Sequence, residues 1–541
     1  MSERTPSDVL LASAPPAVPP KLAFTDGDGA KRWTNGLQLT NVGMVCETVK
    51  GQLQALAASS FSPRERARIA EVLRDLIAYL HTELARRYAG KGQPAADREL
   101  EAAEHAIALW QGLWEQYSFC LKPLLEGDPD LSGVKSKILQ RGLYVGKQLV
   151  LACGLARRTV PASVWNEINA YYRLSEMLDC AVSAVTDDLV PNAVGSSCYS
   201  TYSHALLLGL ADPWMMSVRQ IELTDRWLAM WARKVFPCAE QREAEGPVVL
   251  MDLDAGAGAA VVSAAPAKPA ESMRFGYPLK LATSVHGRLK RLQSGADPAE
   301  LQLGNDCSVD QCVALLTQLE LRWCQTPRRP SSAPTSSVEL CAGGMHGAYY
   351  RVAGRTFDWG DPEGRSKLHE TRHMRTLGAL VDYDHGRDRA ERDFPWEQWE
   401  GACDSREASL IRVSDAQHRW SLDQLATVHH GAETRVGFVT RVERSDESKL
   451  RVSLRLWPGS VGALALRPLS AAGSAEVTIP ALIFAATLDE RACLILPPRS
   501  FNPSRVLCAI DAGPGPERRF RLTKLLQRGM DFERISFEET G

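Results

Sequence analysis

No stretch of this 541-residue chain stays apolar for the roughly twenty residues that a bilayer-spanning helix requires. The best run, Leu143 to Leu155, is too short and is interrupted by Lys147 and Gln148. A secretory signal is also missing: Pro6, Pro15, Pro16, Pro19 and Pro20 break the first twenty residues, with Glu3 and Asp8 among them. Charge of one sign is scarce. The formal net charge is −2, so no global field draws the chain to DNA, RNA or an acidic membrane. The thirteen cysteines have no framework spacing, which predicts reduced and mostly buried thiols. There is no G-x-S-x-G, no Walker A loop and no H-E-x-x-H. These absences predict a cytoplasmic, non-enzymatic protein with no membrane insertion, no nucleic-acid partner and no cofactor.

A hydrophobic fraction of 45% is that of a folded chain, and the length exceeds the roughly 250–300 residues at which single cores stop growing. Residues 1–30 read as a flexible leader rich in Pro and Ala. Over 31–240 the pattern is helical. Asn41 can cap a helix whose Val42, Val45, Val49, Leu53 and Leu56 share a stripe. Ser62-Pro63-Arg64-Glu65 is a capping box with proline at the first helical position, where its missing N–H costs nothing. Ile69, Leu73, Leu76, Leu80 and Leu84 follow at helical steps. Further helices are predicted over 97–121, 133–154, 163–182, 198–210 and 218–235, and the tryptophans and tyrosines of this half read as core.

A mixed α/β middle region is expected over 248–380. It has a strand at Val248–Asp252, an Ala/Gly/Pro-rich linker at 255–270, helices at 279–293 and 308–324, and strands at 338–340 and 349–357. Short alternating runs then occupy 419–428, 434–442, 449–457, 476–484 and 519–525, broken by Gly, Pro and Ser. They predict a small barrel or sandwich over 385–541.

Four spots invite chemistry. Asp252 and Asp254 end a strand, as in phosphatases that hold Mg²⁺ between two aspartates. That reaction also needs a placed lysine, a Ser or Thr and further acids, whereas residues 255–270 read as linker. Gly256-Ala257-Gly258 hints at a dinucleotide loop but opens no helix. His429 and His430 fall on opposite faces of a strand, and Cys307 and Cys312 lack a second pair.

Arg387-Asp388-Arg389-Ala390-Glu391-Arg392, then Asp404-Ser405-Arg406-Glu407-Ala408-Ser409, then Trp420 to Val428 and Arg435 to Val442, resemble PilZ domains. These are bacterial β-barrel receptors for cyclic di-GMP in which an RxxxR stretch precedes a [D/N]xSxxG turn. The helical region ahead of them is similar to that found before such barrels. The resemblance implies a cyclic di-GMP site formed by Arg387, Arg389, Arg392, Asp404, Arg406 and Ser409. Arginine can fork onto guanine O6 and N7 or onto a phosphate. The chain departs from the pattern at Glu391, where an arginine is expected, at Arg406 in place of serine and at Ser409 in place of glycine.

The fold class expected is therefore multi-domain α+β: an all-α helical first half, a mixed middle segment and a C-terminal PilZ-like small β-barrel. The function expected is that of a non-enzymatic signalling adaptor that binds a protein partner through its helical half and carries a degenerate PilZ-like barrel. The alternatives are a competent cyclic di-GMP receptor and an Mg²⁺-dependent phosphohydrolase built on Asp252 and Asp254.

Overall fold

The computed structural model describes residues 21–190, 195–243, 246–327, 334–357, 391–413, 418–445, 449–469, 478–510 and 518–540. The chain forms two compact units, Met1–Lys91 with Ala95–Arg328, and Gly92–Pro94 with Arg329–Gly541.

The first unit opens with helices α1 (Gly27–Asn35), α2 (Val42–Ala57), α3 (Pro63–Tyr88), α4 (Asp97–Ser118), α5 (Leu121–Leu125) and α6 (Pro129–Ser132). It continues with α7 (Lys135–Leu155), α8 (Ala162–Met177), α9 (Cys198–Leu210) and α10 (Val218–Trp231). Asn41 caps α2, accepting from the Met44 N–H, and Ser62 caps α3, accepting from the Glu65 N–H. The box expected at Ser62 is only half made, because the Glu65 carboxylate accepts from the Gly27 N–H instead, at 2.6 Å, and ties α1 to α3.

Helix α7 is the central element. Almost every residue from Ile138 to Leu155 is buried, with α3, α4, α8, α9 and α10 packed around it. Gly142 and Gly146 make this possible. A Cβ at Gly142 would stand 2.0 Å from the Tyr171 ring, and one at Gly146 would stand 2.6 Å from Ile168. Trp110, Trp114, Tyr117, Trp165, Tyr171, Tyr172, Trp227 and Trp231 are buried, as the pattern predicts, whereas Trp214 is half-buried and Tyr79 is exposed. Tyr172 and Tyr202 stack with centroids 4.1 Å apart, and Trp227 packs on Trp231.

A three-stranded antiparallel sheet, β1 (Val248–Asp252), β2 (Ala260–Val262) and β3 (Met273–Gly276), comes next, in the order β2-β1-β3. The segment 255–270 is thus more than a linker. Ala260 to Val262 pair with β1, and Gly256 and Gly258 lie against Ala162 and Trp165 of α8. Helices α11 (Leu279–Gln293) and α12 (Val309–Cys324) complete this unit. The Trp323 indole on α12 donates to the Leu207 carbonyl at 2.8 Å. Residues of α11 and α12, through Trp323, belong to the first unit's hydrophobic core.

In the second unit, the sequence pattern predicts one barrel and two are present. The first contains β4 (Thr335–Cys341), β5 (Glu397–Cys403), β6 (Glu407–Arg412), β7 (Leu425–His430), β8 (Glu433–Arg444) and β9 (Leu450–Leu456). It closes in the order β4-β5-β6-β9-β8-β7. The second contains β10 (Val461–Pro468), β11 (Ile479–Phe484), β12 (Cys493–Leu496), β13 (Val506–Ala509), β14 (Arg519–Arg528) and β15 (Glu533–Thr540). It closes as β10-β11-β12-β15-β14-β13. The two orders are the same connectivity, so the second unit is an architectural duplication. Of the strand expected at 349–357, residues 349–353 instead belong to helix α13 (Gly344–Ala353), which Gly354 ends. Met345, Ala348, Tyr349 and Val352 fall at helical steps, and α13 joins Phe438, Trp457, Phe484 and Phe532 in a core that both barrels share.

Candidate functional site

A cavity of about 1500 Å³ in the first unit opens among α3, α7, α9, α10, residues Leu189, Val190, Gly195 and Ser196, and residues 299–305. That exceeds the roughly 300–1,000 Å³ of ordinary small-molecule pockets. Helical periodicity explains its lining. Gln140, Tyr144, Lys147, Gln148 and Leu151 lie at steps of three, four and one on one face of α7. His81 and Arg86 come from α3, Thr201 and His204 from α9, and Asp225, Arg226 and Met230 from α10.

Three of these side chains form a buried charge cluster. Lys147 Nζ donates to Asp225 at 3.1 Å, and His204 Nε2 lies 2.9 Å from the same carboxylate oxygen. Burial by itself would raise the Asp225 pKa, but Lys147 and His204 outweigh it and hold the carboxyl well below the usual range. Burial lowers the His204 pKa against the pull of Asp225. It also pushes His81 down to about 4, with Lys147 adding to the effect. His81 Nδ1 accepts from the Trp110 indole at 2.9 Å, which places the neutral ring's proton on Nε2. The Gln148 amide donates to the Tyr144 hydroxyl at 2.6 Å, while its buried Oε1 has no hydrogen-bond partner among the described residues.

A second cluster fastens the loop that borders the cavity. Asp187 is fully buried and lies 2.8 Å from Arg74 and 3.0 Å from Arg141. Arg141 also reaches Glu71 at 2.9 Å. Gln140 donates to Asp187, Ser196 and Thr201. Each buried charge here meets an opposite one, the condition under which burial of ions is tolerated.

Arg387 and Arg389 lie outside the described residues. Arg392 lies just ahead of β5, beside Glu391, which pairs with Arg351 at 2.8 Å. Asp404 and Arg406 do come together at the β5–β6 turn. The Asp404 carboxylate accepts from the Arg406 and Glu407 N–H groups, both at 2.8 Å, so it holds the turn as an Asx cap. Arg435 donates to the Asp404 carbonyl at 2.8 Å, and Arg406 pairs with Asp489. Ser409 lies out along β6, exposed, opposite Ala402 and Ser453.

Asp252 Oδ1 accepts from the Asp254 N–H at 3.0 Å, and Asp254 pairs with Arg173, so both carboxylates serve a turn and an ion pair. His429 meets Thr434 and His430 meets Ser336, each on its own face of β7. No group of three or more His, Cys, Asp or Glu side chains suited to a metal occurs among the described residues. No helix there is long and apolar enough to cross a membrane.

Residues 28–237, which carry the greater part of the cavity wall, match a family model described as the N-terminal domain of the cyclic-di-GMP receptor FimW. No curated protein and no solved structure matches.

Proposed function

We propose that this chain is a non-catalytic regulatory receptor for cyclic di-GMP, working in the cytoplasm and passing the signal to a protein partner through its helical unit. The observation that carries the proposal is the match of residues 28–237 to the N-terminal domain of a cyclic-di-GMP receptor, upstream of β-barrels of which the first carries Arg406 at its β5–β6 turn and Arg435 beside it. In this reading Arg387, Arg389 and Arg392 clamp the phosphates and guanines. Asp404 shapes the turn rather than touching the ligand, and Arg406 and Arg435 add positive charge beside it. The Arg406–Asp489 pair is about two-thirds exposed on both sides. Such pairs contribute about 0–1 kcal/mol, so a phosphate can take Arg406 from Asp489 at small cost. Ser409 is exposed on its strand and marks the edge of the site.

The second reading, an adaptor whose barrels dock protein and have lost the ligand, is favoured by the same turn, where Arg406 and Ser409 replace the serine and glycine of the PilZ pattern. Calorimetric titration with cyclic di-GMP separates the two. The receptor reading expects micromolar or tighter binding, lost in an Arg389→Ala/Arg392→Ala double variant. Absence of heat at high ligand concentration with folded protein would leave the adaptor.

A further inference from the structure

Cys307 and Cys312 lie five positions apart, and their Sγ atoms stand 2.6 Å from each other. The meeting follows from how α12 begins. Ser308 is the N-cap: its hydroxyl accepts from the Gln311 N–H, and the Gln311 side chain accepts from the Ser308 N–H, so both halves of a capping box are made. Cys307 is therefore the residue before the cap and Cys312 the fourth residue of the helix. At a capped helix start these two side chains fold onto each other, ordinarily as an apolar staple. Here both positions carry sulfur. A staple needs only bulk, and its non-bonded atoms rest about 3.5–4.0 Å apart. The two thiols are already nearer than that, within reach of a sulfur–sulfur bond.

The thiols differ in access. Cys312 is fully buried, and burial, with Cys307 beside it, pushes its thiol up to about 12. Cys307 is 8% exposed and sits between the exposed Asp306 and Ser308. The loop that leads to it borders the cavity through Ala299, Gln302, Gly304 and Asn305. That loop is held to α10 by the Trp227 indole, which donates to the Leu303 carbonyl at 3.0 Å, and by the Arg226–Asp306 ion pair at 2.7 Å. A bond between the sulfurs would also fasten it covalently to the head of α12.

We propose that Cys307 and Cys312 form a reversible dithiol–disulfide site, oxidised by a small-molecule disulfide of the glutathione class. The more accessible Cys307 gives up its proton and its thiolate attacks one sulfur of the small disulfide, whose other sulfur leaves and takes a proton. Cys312 then loses its proton and attacks Cys307 Sγ in the mixed disulfide. The Cys307–Cys312 bond forms, and the second small thiol leaves with a proton. Two protein thiols are oxidised, and one small disulfide is reduced to two thiols. Contact between the two cysteines makes the second step intramolecular. In a reducing compartment the pair rests as thiols and closes only under oxidation, as redox-sensing disulfides do. The site uses no barrel residue, so it stands or falls separately from the receptor reading.

The test incubates the folded full chain with oxidised glutathione, quenches with acid, alkylates the remaining thiols and digests with trypsin. Cleavage after Arg291 and Arg322 leaves both cysteines, and no others, in one peptide, which mass spectrometry reads. Wild type should yield that peptide unalkylated and two hydrogens lighter than the dithiol, and excess reduced glutathione should return it to the doubly alkylated form. Cys312→Ala should stop at the mixed disulfide, with at least tenfold more glutathione on Cys307 than in wild type. Cys307→Ala should leave Cys312 unmodified. Thermal unfolding checks that each variant is folded, and the wild-type arm needs no variant. A wild-type peptide that stays doubly alkylated, glutathione that persists on wild-type Cys307, or a disulfide that forms only once the chain is unfolded would each overturn the proposal.

Discussion

Lys147 on α7 and Asp225 on α10 lie 78 positions apart in sequence and form an ion pair at 3.1 Å inside the helical unit. The lysine side chain is only 6% exposed. The pair joins two helices at the cavity wall, and each charge depends on the other for tolerance of burial. Asp225→Asn leaves the ammonium buried without its counter-ion, and a cost of about 3–5 kcal/mol is expected. Urea unfolding of Asp225→Asn, Lys147→Met and the double variant measures it. The double variant should be more stable than Asp225→Asn, because an unpaired charge is worse than none. A cost below about 1 kcal/mol for Asp225→Asn would mean that water reaches the pair.

The histidines set an acid limit for the helical unit. The His81 pKa is pushed from about 6.5 down to about 4 by burial, so between those values the unfolded chain binds a proton that the folded chain refuses. Stability from His81 is therefore present above about pH 6.5 and is lost as pH falls toward 4, by about 3 kcal/mol in all. The lowered His204 pKa acts with the same sign. Unfolding free energies at pH 7.5 and pH 5 should show a smaller acid loss in His81→Gln than in wild type. Equal losses would show that His81 is solvated.

Asp531 runs the other way. It accepts the Leu425 N–H at 2.7 Å across the two barrels, yet burial raises its pKa to about 6. The folded chain holds this proton more tightly than the unfolded one, so the contribution to stability falls as pH rises from about 4 to about 6. Asp531→Asn keeps an oxygen acceptor and removes the charge. It should stabilise the protein at pH 8 by about 1–3 kcal/mol and change little at pH 4. Destabilisation at pH 8 would show that the carboxylate is needed ionised.

Within the first barrel, Glu397 is 2% exposed and gathers four donors: the Trp399 and Trp420 indoles, Arg412 and His418. Glu397→Ala removes this shared acceptor from all four, Arg412 keeping the His418 carbonyl, and a loss of about 3–5 kcal/mol is expected, together with a shift in tryptophan emission. Wild-type emission with unchanged stability would contradict the hub role.

Helix starts were readable because their signals are local. Asn41 and Ser62-Pro63 act within one turn, and both residues cap their helices. Lys147 and Gln148 were visible only as interruptions of an apolar run. A lysine inside the apolar run Leu143–Leu155 is itself the signal of a buried ion pair, but naming Asp225 and His204 as its partners needs the packing of α7 against α9 and α10. The second barrel was hidden for another reason. Its strand β12 is four buried apolar residues and β10 runs through Gly462, Ala463 and Ala465, so neither alternates. Helix α13 reads as a strand because a ten-residue apolar segment can satisfy either period, and only the shared core between the barrels selects the helix. The Asp404 turn was found by motif, while its partners Arg435 and Asp489 come from distant strands and loops.

The most direct test of the receptor account is to incubate the full chain with radiolabelled cyclic di-GMP and Mg²⁺, measure the bound fraction, and then recover the nucleotide. The account predicts saturable binding with all label returned as intact cyclic di-GMP. Label returned as a linear or hydrolysed product, or no retention by folded protein, would contradict it.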